Sequence, residues 1–221
     1  MARLGPALTL AAGGIVAVAL GVLSVSAASP ANVTDAGGAA QAGAEATTQV
    51  SPPPPTAVKT GRPAPVRADY AGRVKEQGGL IAISVRNDKV IAYFCDGRTE
   101  AWFAGRAKDG EVTLKGFGGS SVSARLDGDR AVGGLRIGRK SWDFTAPTAK
   151  KPSGLYRASA IVRGARLKAG WIVLADGTQT GFAKRGEQPV AVPALTPGTD
   201  PTIDGARVDA KDVDEFIGEM P

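Results

Sequence analysis

Five side chains, Tyr93, Arg98, Trp102, Lys108 and Lys115, are the best equipped in the chain to recognise a ligand. Amphipathic rings beside guanidinium and ammonium groups suit a surface that takes up an anion or a glycan without making or breaking a bond. The means for catalysis are sparse. There is no histidine among the 221 residues, which removes the usual general base and the Ser-His and Cys-His nucleophile pairs. One cysteine, Cys95, permits neither an intramolecular disulfide nor a thiolate metal cage. Arg98 nearby would favour its thiolate, but no base accompanies it, and packing is its expected role.

Two further spacings resemble sites and lack essential parts. Thr148 and Lys151 have hydroxyl-x-x-Lys spacing, in a Pro-broken loop without helical context. Asp200, Asp204 and Gly205 fit positions 1, 5 and 6 of a calcium loop, with Thr202 at position 3 and Lys211 where a bidentate glutamate belongs. The residues imply no metal, no cofactor and no catalytic group, and the reading is of a protein that is not an enzyme.

The elements that must position the five candidates lie in residues 80–116. Asp96-Gly97 between β-rich apolar runs is a hairpin signal, because both residues tolerate the positive φ of a tight turn. A two-residue turn there sets Cys95 against Arg98 and Phe94 against Thr99. It places Val90, Ala92, Phe94, Thr99, Ala101 and Phe103 on one face. Similar turns at Asn87-Asp88 and Asp109-Gly110 add Ile81, Ile83, Val85, Ala107, Val112 and Leu114 to that face. A one-residue slip would scramble it. The stretch reads as a four-stranded antiparallel meander with a dry face and a mostly basic one. Ile91, Tyr93 and Trp102 interrupt the basic face, either as a binding platform or because another segment, such as a C-terminal helix, covers them.

Further alternations and turns at Asp127-Gly128 and Asp176-Gly177 bring the count to about ten strands. The fold class is all-β, an antiparallel meander closed as a barrel or stacked as a sandwich, either of which protects strand edges. A barrel would leave room for a small apolar cavity. Residues 202–208 read as a final hairpin, and Asp209 as the cap of a short helix over 210–217.

The domain, 66–221, follows three other segments. Residues 1–6 carry Arg3 and read as a cytoplasmic n-region. Residues 7–28 carry no charge, and as a helix would span roughly 33 Å. They read either as a transmembrane anchor or as a signal peptide cut in the Ser/Ala-rich stretch 25–28. The expected location is the cell membrane, single-pass with the domain outside, or a secreted form. Residues 29–65 are an Ala/Pro-rich linker, stiffened at Pro52–Pro55.

Charge points to the partner. Residues 66–199 hold 22 bases against 12 acids, and residues 200–221 hold seven acids against two bases. An anionic envelope polymer or lipid headgroups fit that balance, and an exported body is not expected to meet nucleic acid. The oligomeric state is open.

The runs Ala92-Tyr93-Phe94-Cys95-Asp96-Gly97, Ala101-Trp102-Phe103-Ala104-Gly105, Gly154-Leu155-Tyr156-Arg157-Ala158 and Gly170–Gln179 carry a family resemblance. Over roughly residues 68–185 the chain resembles uncharacterised actinobacterial envelope proteins with one β-rich extracytoplasmic domain. The resemblance implies location and domain extent, and carries no catalytic residue. The expected function is non-catalytic binding at the cell surface. The alternative is a small-ligand carrier or hydrolase with a site inside the barrel.

Overall fold

The computed structural model describes residues 63–220 apart from Gln77. Eight strands form a closed up-and-down antiparallel barrel. They are β1 (Arg67–Val74), β2 (Leu80–Arg86), β3 (Lys89–Cys95), β4 (Glu100–Lys108), β5 (Glu111–Gly116), β6 (Ser121–Leu126), β7 (Arg130–Ile137) and β8 (Lys140–Pro147). The seam joins Arg73 to Thr145 and Val74 to Phe144. Gly72 makes that seam possible, since a Cβ there would lie 2.3 Å from the Thr145 carbonyl oxygen.

An eight-stranded barrel is just wide enough for its inward side chains to fill. Here they are Ile81, Ile83 and Val85 from β2, Val90, Ala92 and Phe94 from β3, and Phe103, Val112, Leu114, Leu135 and Phe144 from the others. Trp142 stacks on Phe94 at one end of the interior, with ring centroids 6.5 Å apart.

A second layer lies against the outside of β1–β3. Strands β9 (Gly154–Val162), β10 (Ala165–Val173), β11 (Gln179–Arg185) and β12 (Gln188–Val190) form an antiparallel sheet. A two-residue hairpin follows, β13 (Thr202–Ile203) and β14 (Ala206–Arg207), and β15 (Lys211–Asp212) then adds to the sheet beside β9. One sheet face and the helix α1 (Val213–Phe216) pack on the barrel wall, joining Leu155, Ile172, Leu174 and Phe216 to Ala71, Leu80, Ile91, Tyr93 and Cys95. Ala158, Leu167, Ala169 and Trp171 point the other way and are covered by Leu195, Ile203 and Val208. Strands β2 and β3 are therefore buried on both faces.

Several expectations change. Ten strands in one meander become a closed barrel of eight with a separate sheet laid on it, so barrel and layered packing coexist. The turn at Asp96-Gly97 is longer than two residues. Asp96 Oδ1 accepts the N–H groups of Arg98 (2.8 Å) and Thr99 (2.6 Å), closing a four-residue loop. Cys95 pairs with Glu100 and Phe94 with Ala101. Each partner moves by two residues, so the strand residues keep their predicted faces, while Arg98 and Thr99 leave the ladder for the loop and are exposed. The turns at 87–88 and 109–110 have the expected register, Val85 opposite Val90 and Lys108 opposite Glu111. The last helix is capped by Asp212, not Asp209. The Asp212 carboxylate accepts from the Asp214 N–H at 2.8 Å, and Glu215 accepts from the Asp212 N–H at 2.9 Å.

The single-pass membrane placement and its transmembrane helix also need correction. Among the described residues no helix is long and apolar enough to cross a membrane. The expected N-terminal hydrophobic helix, at residues 7–28, lies outside the described residues, as do the n-region and linker residues 29–62.

Candidate functional site: a basic barrel end and a cleft beside the barrel

In an up-and-down barrel every second connection lies at the same end. The connections after β1, β3, β5 and β7 hold Lys75, Glu76, Asp96, Arg98, Phe117 and Arg139, and Lys140 opens β8. Those after β2, β4 and β6 hold Asp88, Asp109, Asp127 and Asp129. With Lys115 and Arg136 at the neighbouring strand ends, bases outnumber acids at the first of these ends, the basic end, and the turns of the other end carry aspartates.

At the basic end, Lys115, Ser121 and Arg136 stand side by side on β5, β6 and β7, because Lys115 pairs with Ser121 and Ser121 with Arg136. With Thr113 and Ser123 they line a groove of about 410 Å³. Hydroxyl donors between two cations suit a phosphate or carboxylate. Phe117, at the tip of the β5–β6 loop, is 100% exposed.

Many acids of the domain form ion pairs away from this end. Asp214 holds Arg86 at 2.7 Å as well as Arg67 and Lys151, and Asp69 holds the other side of Arg86 at 2.9 Å. Asp204 pairs with Arg185, Asp200 with Arg207, and Glu219 with Lys211. Asp88 pairs with Arg106, and Glu111 with Arg125. No ion pair among the described residues includes Lys75, Arg98, Lys115, Arg136, Arg139 or Lys140.

The five sequence candidates separate accordingly. Arg98 and Lys115 reach the basic end. Lys108 sits at the opposite end, beside the Asp109 turn. Tyr93 is fully buried under the second sheet, its hydroxyl donating to Glu100 at 3.1 Å, and burial pushes the phenol well above its ordinary range. Trp102 is half-buried and lines a different cleft, of about 250 Å³, with Glu100, Arg157, Lys168, Lys184 and Met220. Tyr93 reaches under the sheet because residue 170 is glycine. A Cβ there would lie 2.7 Å from the Tyr93 ring.

Cys95 is buried, with Thr180 Oγ1 at 3.6 Å and the Gly97 N–H donating to its sulfur at 3.4 Å. Burial pushes its thiol up, the reverse of what a reactive cysteine needs. Lys151 is held by Asp212 and Asp214 rather than by Thr148. Asp200 and Asp204 face arginines.

Arg136, Arg139, Lys140 and Phe117 were not singled out by sequence reasoning, although alternate turns of a meander share an end. Arg157, Lys168 and Lys184 come together through the register of β9, β10 and β11. The chain matches no protein-family model, no curated protein and no solved structure.

Proposed function

We propose that the domain is a non-catalytic binding module that takes up an anionic polymer of the cell envelope on the basic end of its barrel. The observation that supports this reading is the partition of charge. Five of the seven acids of residues 200–221 pair with bases away from the basic end, while Lys75, Arg98, Lys115, Arg136, Arg139 and Lys140 have no carboxylate ion-pair partner among the described residues. Such cations need not break an existing pair to meet an anion. Phe117 adds an apolar contact beside them. The sequence resemblance to envelope proteins suggests where such polymers would be met. The interior-site alternative is less favoured, because 18 buried residues fill the barrel and Tyr70 contributes their one hydroxyl.

The test is retention of the full-length protein on immobilised polyphosphate and polygalacturonate across a salt gradient. Salt-sensitive retention, weakened in the Lys115→Gln/Arg136→Gln double variant and unchanged in Lys108→Gln, is the expected result. Equal weakening by Lys108→Gln would mean net charge rather than this end. Binding to phosphatidylglycerol vesicles but to neither polymer would overturn the polymer in favour of a lipid surface.

A further inference from the structure

The cleft between β4 and the second sheet holds an arrangement that the polymer reading does not use. Lys168 on β10 pairs directly with Lys184 on β11, so both side chains leave the same face of the sheet. Like charges directly opposite on neighbouring strands repel. Arg157 on β9, paired with Gly170, adds a third cation to that face. Among the described residues only Glu100 answers them from the barrel side, and it is already occupied. Its carboxylate accepts from Tyr93 Oη (3.1 Å) and Trp102 Nε1 (3.3 Å) and pairs with Lys184 (3.3 Å). Glu219 stands 3.6 Å from Arg157 at the rim, and is drawn closer to Lys211 at 2.9 Å. Lys168 has no ion-pair partner among the described residues.

Folded sequences are locally consistent, and conflicts that persist tend to mark functional sites. Two lysines set against each other beside an arginine form such a conflict, and an anion placed among them would relieve it. The arginine is also held ready. Its guanidinium carbon lies 5.9 Å from the ring centroids of both Trp102 and Phe216, and its side chain is 18% exposed. A guanidinium fork fixed in this way binds a carboxylate with little further loss of freedom. Trp102 and Met220 supply an apolar wall. At about 250 Å³ the cleft lies near the lower limit of small-molecule sites.

We infer that this cleft is a binding site for a small organic carboxylate with a compact apolar body, held by Arg157, Lys168 and Lys184. It is independent of the basic barrel end and shares no residue with it.

Benzoate is the probe, titrated calorimetrically and by tryptophan fluorescence into the full-length protein at low salt, with benzyl alcohol as its neutral counterpart and inorganic phosphate as a head without a body. Saturable benzoate binding that perturbs the fluorescence and is absent with benzyl alcohol is the expected result. Lys168→Gln should weaken it by about tenfold, the loss of one charge-assisted contact. The same variant without ligand should be no less stable than the parent. The Lys115→Gln/Arg136→Gln variant should bind benzoate as the parent does, so failure at one site is distinguishable from failure at the other. No saturable benzoate binding, or binding indifferent to Lys168→Gln, would overturn the site. Phosphate binding as tightly as benzoate would overturn the carboxylate assignment.

Discussion

Replacing Asp214 with asparagine tests how the C-terminal helix is fastened to the barrel. Asp214 lies in the first turn of α1 and accepts from Arg86 Nε at 2.7 Å, with Arg67 and Lys151 also in contact. Burial alone would raise its pKa. Hydrogen bonds from Arg86 and Lys151 outweigh burial and hold the carboxyl at about 2, against an ordinary 3.8. A shift of that size corresponds to at most about 2.5 kcal/mol of folding free energy. The Asp214 side chain is 25% exposed, and two of its three partners are on the surface. Solvent screening reduces the figure to about 1–2 kcal/mol.

The folded pKa is depressed, so this stabilisation is present above the unfolded pKa near 4 and is lost as pH falls through about 2. Urea unfolding of parent and Asp214→Asn at pH 7 and pH 2.5 provides the assay. A gap of about 1–2 kcal/mol at pH 7 should shrink by half or more at pH 2.5. A gap of the same size at both pH values would refute the ion-pair reasoning, because a packing effect would not titrate. No gap at pH 7 would show that Asp69 alone satisfies Arg86.

Tyr70 places a buried hydroxyl inside the barrel with no hydrogen-bond partner among the described residues. Tyr70→Phe should therefore leave stability unchanged or raise it by about 1 kcal/mol, and a clear loss in urea unfolding would show that the hydroxyl is satisfied. Gly170→Ala drives a Cβ to 2.7 Å from the Tyr93 ring and should cost about 1–3 kcal/mol, with a thermal midpoint equal to the parent's counting against close sheet–barrel contact. Cys95, fully buried with its thiol pushed up, should react with a thiol reagent only at the rate of unfolding, and rapid labelling of the native protein would contradict the packing described. Phe117→Ala should change stability by less than about 0.5 kcal/mol while weakening retention on the anionic polymer.

Much of the barrel was legible in the sequence because turn chemistry and alternation are local. Asn87-Asp88 and Asp109-Gly110 set the register around them, and the apolar face from Ile81 to Leu114 became the barrel interior. The turn at Asp96 was misjudged because the aspartate side chain, not the Asp-Gly dipeptide alone, closes the loop by capping two backbone N–H groups. The second sheet's position depended on non-local packing, but a hint existed. Residues 80–85 and 90–95 are nearly continuous apolar runs, the pattern of strands covered on both sides. That pattern would have removed Tyr93 from the surface candidates. The cations of the cleft were harder to find. Lys168 and Lys184 lie sixteen residues apart and face each other only through the β10–β11 register, while Arg157 joins them through the β9–β10 register. Lys108 and Lys115 share a face of the meander but project at opposite ends, which alternation alone does not separate.

The central claim is that the basic barrel end meets an anionic polymer. Amide chemical shifts recorded while a short polyphosphate is titrated into the isotope-labelled full-length protein test it most directly. The account predicts perturbations concentrated at residues 96–99, 115–121 and 136–140, fading as salt is added. Perturbations centred on the turns at 87–88, 109–110 and 127–129, or none at any concentration, would contradict it.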